Sequence, residues 1–271
     1  LLAALAAPAA RAQSSPAIVG AAEAAAAARV EALLRSGASP ASRAPDGDTV
    51  MHVAAGRGYA DVVKILLARN ADVNARGREG DAPLHRAAAA GDANMAALLL
   101  ARGATVYARN AQAETPLYVA AERGHASVVR LLLDRGADPT ARTANGEVPL
   151  HAAAMAGSGA IVDALVARRA APGEVNRDGE APLFWAAATG ALEATRRLLD
   201  NGADPNARDR RGNTALHGAA DGGYGEVVDL LLARGARAAV RNGDGKTPAD
   251  VARARGYESI AQRLARLAGA R

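Results

Sequence analysis

Cysteine is absent from the 271-residue chain, and aromatic residues make up only 3% of it, with one Trp and one Phe. Without cysteine the chain can form no disulfide bond, no thiolate metal site and no cysteine nucleophile. Its apolar residues are mainly Ala, Leu and Val, which suit closely packed helices better than a sheet sandwich or barrel. The composition therefore predicts an all-α protein.

A large excess of either charge is also missing. The 33 Lys and Arg residues face 28 Asp and Glu residues, so the formal net charge is +5. A protein dedicated to nucleic acid usually has a stronger excess or a basic cluster. The balance predicts a soluble surface of mixed charge, and we do not expect a nucleic-acid partner.

No hydrophobic run is long enough for a transmembrane segment, and the apolar opening at residues 1–7 is far too short. Pro8 and the triplet Ala10-Arg11-Ala12 follow it, which is typical of the end of a signal peptide and its cleavage site. We interpret residues 1–12 as a signal-peptide remnant, so that the mature chain begins at Gln13 and is periplasmic or secreted. The alternatives are a first helix or an Ala-rich tail; without a signal peptide, we expect a cytoplasmic protein.

Three series of residues, mostly glycine, recur at intervals of 33. The first series is Gly47, Gly80, Ala113, Gly146, Gly179, Gly212 and Gly245. The second series is Gly58, Gly91, Gly124, Gly157, Gly190, Gly223 and Gly256. The third series is Gly37, Asn70, Gly103, Gly136, Arg169, Gly202 and Gly235. Three series in phase exclude coincidence, so the chain is an array of 33-residue repeats.

Each repeat predicts two helices joined by a turn at the second series. Thr often precedes the first helix, where its hydroxyl can cap the helix N-terminus, and Pro follows at a position that needs no N–H. The Thr residues are Thr49, Thr115, Thr214 and Thr247. The Pro residues are Pro83, Pro116, Pro149, Pro182 and Pro248. The third series ends the second helix, where a left-handed residue is needed.

Residues 115–142, TPLYVAAERGHASVVRLLLDRGADPTAR, resemble the ankyrin repeat. The resemblance covers residues 14 to 271 in eight units, and it includes exported bacterial ankyrin-repeat proteins. It implies an all-α solenoid of antiparallel helix pairs joined by extended, hairpin-like loops. We expect a single domain at 13–271, with an N-cap at 14–46, internal repeats at 47–244 and a C-cap at 245–271.

One position of the repeat holds four of the five histidines, namely His52, His85, His151 and His217. A metal row is one interpretation, but packed helices lie about 8–10 Å apart, whereas zinc ligands lie about 2 Å from the ion. In ankyrin families this His hydrogen-bonds to the backbone of neighbouring turns, and we adopt that structural role. Gly245-Lys246-Thr247 imitates the end of a phosphate-binding loop, but Val240 occupies the position that requires Gly. We expect no metal, no cofactor and no enzyme activity.

Arginine recurs at the end of each extended turn and forms a predicted ladder along one edge. Its members are Arg43, Arg76, Arg109, Arg142, Arg208 and Arg241. One interpretation is that they pair with Asp or Glu of adjacent repeats. The other is a basic strip for an acidic partner.

In each first helix, Leu and two Ala follow the i, i+3, i+4 spacing of a core face, and the residues between them are predicted to line a concave surface. From that surface we select candidate partner-binding residues: Arg57, Arg86, Glu122, Arg123, Met155, Trp185, Thr189 and Asp221. Trp185 is the only Trp, and it either anchors a partner or packs over Ala152 and Met155.

The surface and the resemblance together predict a monomeric, non-enzymatic scaffold that presents the concave helix face and turn tips to a protein partner. An effector or inhibitor that blocks an enzyme through this surface is one alternative. A binder of an anionic polymer that uses the arginine ladder is the other. Arg169 breaks the third series. Three interpretations stay open: a locally less stable repeat, a bend in the solenoid, or a sequence change without consequence.

Overall fold

The computed structural model describes residues 16–269, so the predicted signal-peptide remnant at 1–12 lies outside the described residues. Residues 16–269 form sixteen α-helices and no β-strand, which confirms the all-α fold. The helices, numbered in chain order, are α1 at 16–23, α2 Ala27–Arg35, α3 Val50–Gly56, α4 Ala60–Ala68, α5 Pro83–Ala90, α6 Ala93–Ala101, α7 Pro116–Glu122, α8 Ala126–Asp134, α9 Pro149–Met155, α10 Gly159–Val166, α11 Pro182–Ala188, α12 Leu192–Asp200, α13 Ala215–Gly222, α14 Gly225–Ala233, α15 Pro248–Ala254 and α16 Glu258–Gly269.

Within each unit of the chain, first helices pack on neighbouring first helices, and most of them also pack on the second helix of their own repeat. In α11 the buried residues Leu183, Ala186 and Ala187 follow the expected i, i+3, i+4 spacing. Full burial of a Leu side chain stabilises the fold by about 1.5–3 kcal/mol, and the paired Ala residues let neighbouring helices approach closely. The core is therefore the row of Leu and Ala residues that the sequence pattern predicted.

The three recurring series all adopt the left-handed backbone conformation in the structure. Their φ angles lie between 58° and 98°, and Arg169 has a φ of 70°. Ala25, which is 33 residues before Gly58, continues the second series with a φ of 56°. The predicted turn positions and helix ends are confirmed at each of these sites.

Extended loops connect the repeats and bond to each other at their tips. The N–H of Arg177 donates to the carbonyl of Asn145, and that of Arg210 donates to Asp178, both at 2.9 Å. Within one loop, the Asn176 side chain accepts from the N–H groups of Asp178 and Glu180 at 2.9 and 3.0 Å. These bonds fix the loop that leads into α11, and Pro182 begins that helix.

Two compact units are distinguished within the described residues. The first takes the chain up to Ala120 together with Asp134–Ala137, and the second takes Ala121–Leu133 together with the residues from Asp138 onward. In the first unit α3 packs on α5, and α2 packs on α4. In the second unit the first helices α9, α11, α13 and α15 pack in sequence, and the second helices α10, α12 and α14 do likewise. No helix among residues 16–269 is both long and apolar enough to cross a bilayer.

Candidate functional site

The recurring histidines join each first helix to the loop of the following repeat. In His52 and His217, Nδ1 accepts from the backbone N–H three residues earlier at 3.2 and 3.1 Å. Nε2 lies 2.9 and 3.1 Å from the carbonyl oxygens of Asp81 and Lys246. A carbonyl can only accept, so Nε2 carries the proton and donates. The same two contacts recur at His85 and His151.

This geometry holds the four histidines in their neutral form. Burial lowers the pKa of His52, His85, His151 and His217 below the ordinary value. Both ring nitrogens already have backbone partners, so neither is free for a metal ion. Residues 16–269 contain no group of three or more His, Asp or Glu side chains that could hold a metal.

Asp250 occupies the histidine position in the repeat of α15, and its carboxylate takes the place of the imidazole as the acceptor at the start of the helix. Its Oδ2 accepts from the backbone N–H and the hydroxyl of Thr247 at 2.9 and 2.7 Å. The Thr247 hydroxyl in turn accepts from the N–H of Asp250 at 3.2 Å, as the predicted Thr cap requires. The Thr247 N–H lowers the pKa of Asp250. Sequence reasoning overlooked Asp250, although its spacing of 33 from His217 marks the position.

The arginine ladder bonds mainly to backbone carbonyls, which corrects the expectation of Asp and Glu partners. Arg43 Nη1 donates to the carbonyls of Gly47 and Arg76 at 2.6 and 2.8 Å. Arg208 Nη2 donates to the carbonyl of Arg241 at 2.7 Å. The carbonyls that Arg43 and Arg208 reach belong to the loop of the following repeat. Arg76 and Arg142 form the same type of cross-repeat bond, and Arg142 also pairs with a Glu side chain, Glu174.

The candidate partner-binding residues lie on the first-helix face, by which we mean residues 53, 56 and 57 and their equivalents at intervals of 33. From α3 to α15 the first of these positions is buried or half-buried, and Ala152 and Gly218 are among the buried residues. At Gly218 the neighbouring helix is close, because a Cβ there would lie only 3.1 Å from the Cβ of Ala188. The third position stays exposed at most repeats, as at Thr189.

Trp185 occupies the first, covered position of this face and is half-buried. Its indole N–H donates to Glu180 Oε2 at 2.8 Å, and its ring meets the His151 ring edge-on, with 5.7 Å between the centroids. It is thus less accessible than the pattern predicted, and it contacts His151. Its role in binding stays a prediction. Beside it on the same face, Met155 and Thr189 are exposed.

The charged candidate partner-binding residues differ in the ion pairs and hydrogen bonds that they form within the chain. In the first unit, half-buried Arg86 lies 3.0 and 3.5 Å from carboxylate oxygens of Asp48 and Asp81. Exposed Arg57 donates to the Glu23 carbonyl at 2.7 Å.

In the second unit, Glu122 lies beside Arg123, with 3.6 Å between Oε2 and Nε. Exposed Asp221 accepts two hydrogen bonds from Arg255, at 2.7 and 3.0 Å. The structure therefore engages most of the charged candidates in ion pairs within the chain, and their part in binding a partner stays a prediction.

An open groove of about 580 Å³ crosses α11, α13 and α15 within the second unit, and we call it the α11–α15 groove. The helices contribute small residues to it, including Ala188, Gly218 and Ala254. The loops before α13 and α15 contribute Arg211 and Lys246. Sequence reasoning placed Asp221 here, but it did not identify the loop residues.

Paired helices, left-handed turns and bonded loop tips define a helical repeat protein. The family model described as ankyrin repeats (3 copies) matches residues 18–110, 80–143, 117–209 and 183–271. The chain therefore belongs to the ankyrin-repeat family, whose fold serves as a scaffold for protein interactions.

Solved structures agree with this assignment, and 566 chains match. One of them is the ankyrin repeat domain of Bcl-3, described as a unique member of the IkappaB protein family. It is 29% identical to this chain, with a TM-score of 0.64, and the match covers 80% of this chain and 99% of the Bcl-3 chain. Among curated protein sequences, none matches.

Proposed function

We propose that the protein is a non-enzymatic scaffold that binds a protein partner through its first-helix face and loop tips. The observation that carries this proposal is the α11–α15 groove, which is open and about 580 Å³ in volume. First helices and the loops before them both line it, so it joins the two surfaces that the proposal assigns to binding. Met155 and Thr189 are exposed on the adjoining first helices, so the surface offers apolar and polar contacts beside the groove.

Inhibition of an enzyme through the same surface is a special case of this proposal, and it gains no separate support from the geometry. Binding of an anionic polymer by the arginine ladder is disfavoured. The guanidinium groups of Arg43, Arg142 and Arg208 already donate to carbonyls of the next repeat. A polymer would therefore compete with these bonds.

Export and a monomeric state belong to the same proposal. The eight units that the sequence pattern predicts start near Ser14, so removal of a signal peptide at Ala12 would leave each of them intact. A monomer that is periplasmic or secreted would present its first-helix face to partners in that compartment.

Affinity capture with residues 13–271, read by mass spectrometry, tests the scaffold function. The blocking variant combines Met155→Arg with Thr189→Arg, two exposed positions of the first-helix face. The matched control combines Ala233→Arg with Gln262→Arg, which are exposed on the second helices α14 and α16. Both variants add two positive charges.

We expect the wild type and the control to capture the same protein, and the blocking variant to lose at least about 90% of it. Equal capture by both variants would contradict binding through the first-helix face. Failure of the wild type to capture any protein would contradict the scaffold function itself.

A further inference from the structure

The two loop positions just before each first helix change charge along the chain. Up to residue 180 they hold only acidic or neutral side chains, in the pairs Asp46 and Asp48, Glu79 and Asp81, Gln112 and Glu114, Asn145 and Glu147, and Asp178 and Glu180. In the last two repeats the pairs are Arg211 with Asn213 and Asp244 with Lys246. Acidic groups are favoured at a helix N-terminus, so basic residues at these positions oppose a preference that the earlier repeats follow. Departures of this kind tend to occur where function requires them.

Arg211 and Lys246 both line the α11–α15 groove. Both are exposed, and no acceptor within the part of the chain that the structure describes contacts either side chain. Arg255, the other cation of the groove, is instead held by Asp221 through two hydrogen bonds. Two cations thus face the groove without a partner.

Asp244 is the one acidic side chain of the groove outside the Asp221–Arg255 pair. Its carboxylate offsets part of the positive charge of Arg211 and Lys246. The lining charges therefore sum to +1, from three cations and two anions.

The groove has the dimensions of an extended peptide. It crosses three first helices, and neighbouring helices lie about 8–10 Å apart, so its length is about 20 Å. Six residues of an extended chain span about 20 Å. Ala188 and Ala254 present only methyl groups to the groove, which leaves room along it for the peptide main chain and small side chains.

We propose that the α11–α15 groove binds an extended acidic segment of the partner protein, with carboxylates paired to Arg211 and Lys246. The small side chains of the segment lie against Ala188 and Ala254. This inference rests on the proposed scaffold function and narrows the partner to one that presents an acidic, extended stretch.

The test uses the full chain and a fluorescent six-residue peptide of alternating Glu and Ala, with binding followed by anisotropy. The groove variant combines Arg211→Asp with Lys246→Glu, which installs the residue types found at Asp178, one repeat before Arg211, and at Glu180, two repeats before Lys246. The control combines Arg210→Asp with Arg237→Glu, two exposed arginines outside the groove, and changes the net charge equally. Circular dichroism checks that both variants unfold at the wild-type midpoint.

We expect saturable binding to the wild type, a loss of at least about tenfold in the groove variant and less than about twofold in the control. Asp244→Asn should tighten binding, and a peptide of Gln and Ala should bind at least about tenfold more weakly. Absence of saturable binding, or an equal loss in groove variant and control, would overturn the acidic-segment proposal. The scaffold function has its own test. If the groove variant captures the partner protein as well as the wild type does, this inference is refuted and the scaffold function still stands.

Discussion

Position 169 holds an arginine in a backbone conformation that five other repeats give to glycine. Arg169 has a φ of 70°, beside 82° at Gly136 and 87° at Gly202. A side chain with a Cβ is strained in this region by about 1 kcal/mol or slightly more. The side chain of Arg169 is exposed, so nothing in its burial offsets the strain.

We therefore expect Arg169→Gly to raise the free energy of unfolding by up to about 1 kcal/mol, reduced somewhat by the greater freedom of glycine in the unfolded chain. Urea denaturation of the two proteins measures the difference. Gly202→Arg is the reciprocal control, because a Cβ at Gly202 meets open space, and it should destabilise by a similar amount. A less stable Arg169→Gly protein would show that the repeat depends on the arginine.

The contacts of Trp185 also predict how its substitution changes the free energy of unfolding. Its half-buried ring and its bond to Glu180 mean that Trp185→Ala removes both packing and a hydrogen bond. We expect a loss of about 2 kcal/mol in unfolding free energy, and about 1 kcal/mol for Trp185→Phe, which keeps an aromatic ring beside His151.

Capture experiments well below the unfolding midpoint then isolate the binding role of Trp185. If the ring anchors a partner, Trp185→Ala should weaken capture at least about tenfold while Trp185→Phe keeps most of it. Unchanged capture by a folded Trp185→Ala protein would make the residue purely structural.

Features fixed by local geometry were predictable from the sequence, and features fixed by neighbouring repeats were not. The left-handed positions and the caps at Thr115 and Thr247 follow from spacing alone. The burial of Ala152 depends on how closely the next helix approaches. The carbonyl partner of Arg208 lies 33 residues away, and only the packed loops reveal it.

At the scale of the secondary structure element, the starts of α3, α5, α9, α13 and α15 each depend on the protonation of one side chain, a histidine in the first four and Asp250 in α15. A folded histidine with a lowered pKa binds fewer protons than the unfolded chain, so protonation favours unfolding. The stabilisation is complete above about pH 6.5 and declines as the pH falls below that value toward the folded pKa. For Asp250 the pKa is also lowered, so its stabilisation persists until the pH falls through about 4.

We accordingly expect the free energy of unfolding to decrease between pH 7 and pH 5. His217→Gln removes up to about one of the protons taken up on unfolding. It should therefore reduce the slope of the unfolding free energy against pH by up to about 1.4 kcal/mol per pH unit. Denaturant titrations at a series of pH values provide the measurement. An identical pH dependence in the variant would show that His217 does not titrate on unfolding.

For the whole molecule, the repeat register and the predicted cleavage site suggest the same boundary. The 33-residue register predicts a repeat that begins at Ser14, two residues after the predicted cleavage site at Ala12. We expect expression of a precursor that contains this segment to yield a mature chain that starts at Gln13 in the periplasm or the medium. N-terminal sequencing of the purified protein provides the test. Recovery of residues 1–12 on a cytoplasmic protein would contradict both the processing and the localisation.

The cross-repeat bonds of the recurring histidines and of two ladder arginines run in one direction along the chain. His52 and His217 donate to carbonyls 29 residues ahead, and Arg43 and Arg208 donate to carbonyls 33 residues ahead. A ribosome makes each of these donors before it makes the acceptor, so these side chains stay unsatisfied in the repeat made most recently. Loop N–H groups such as that of Arg210 run the other way and find their acceptors already made. Folding can then follow synthesis one repeat behind. Asp250, whose oxygen is already occupied by Thr247, completes the start of α15 within its own repeat.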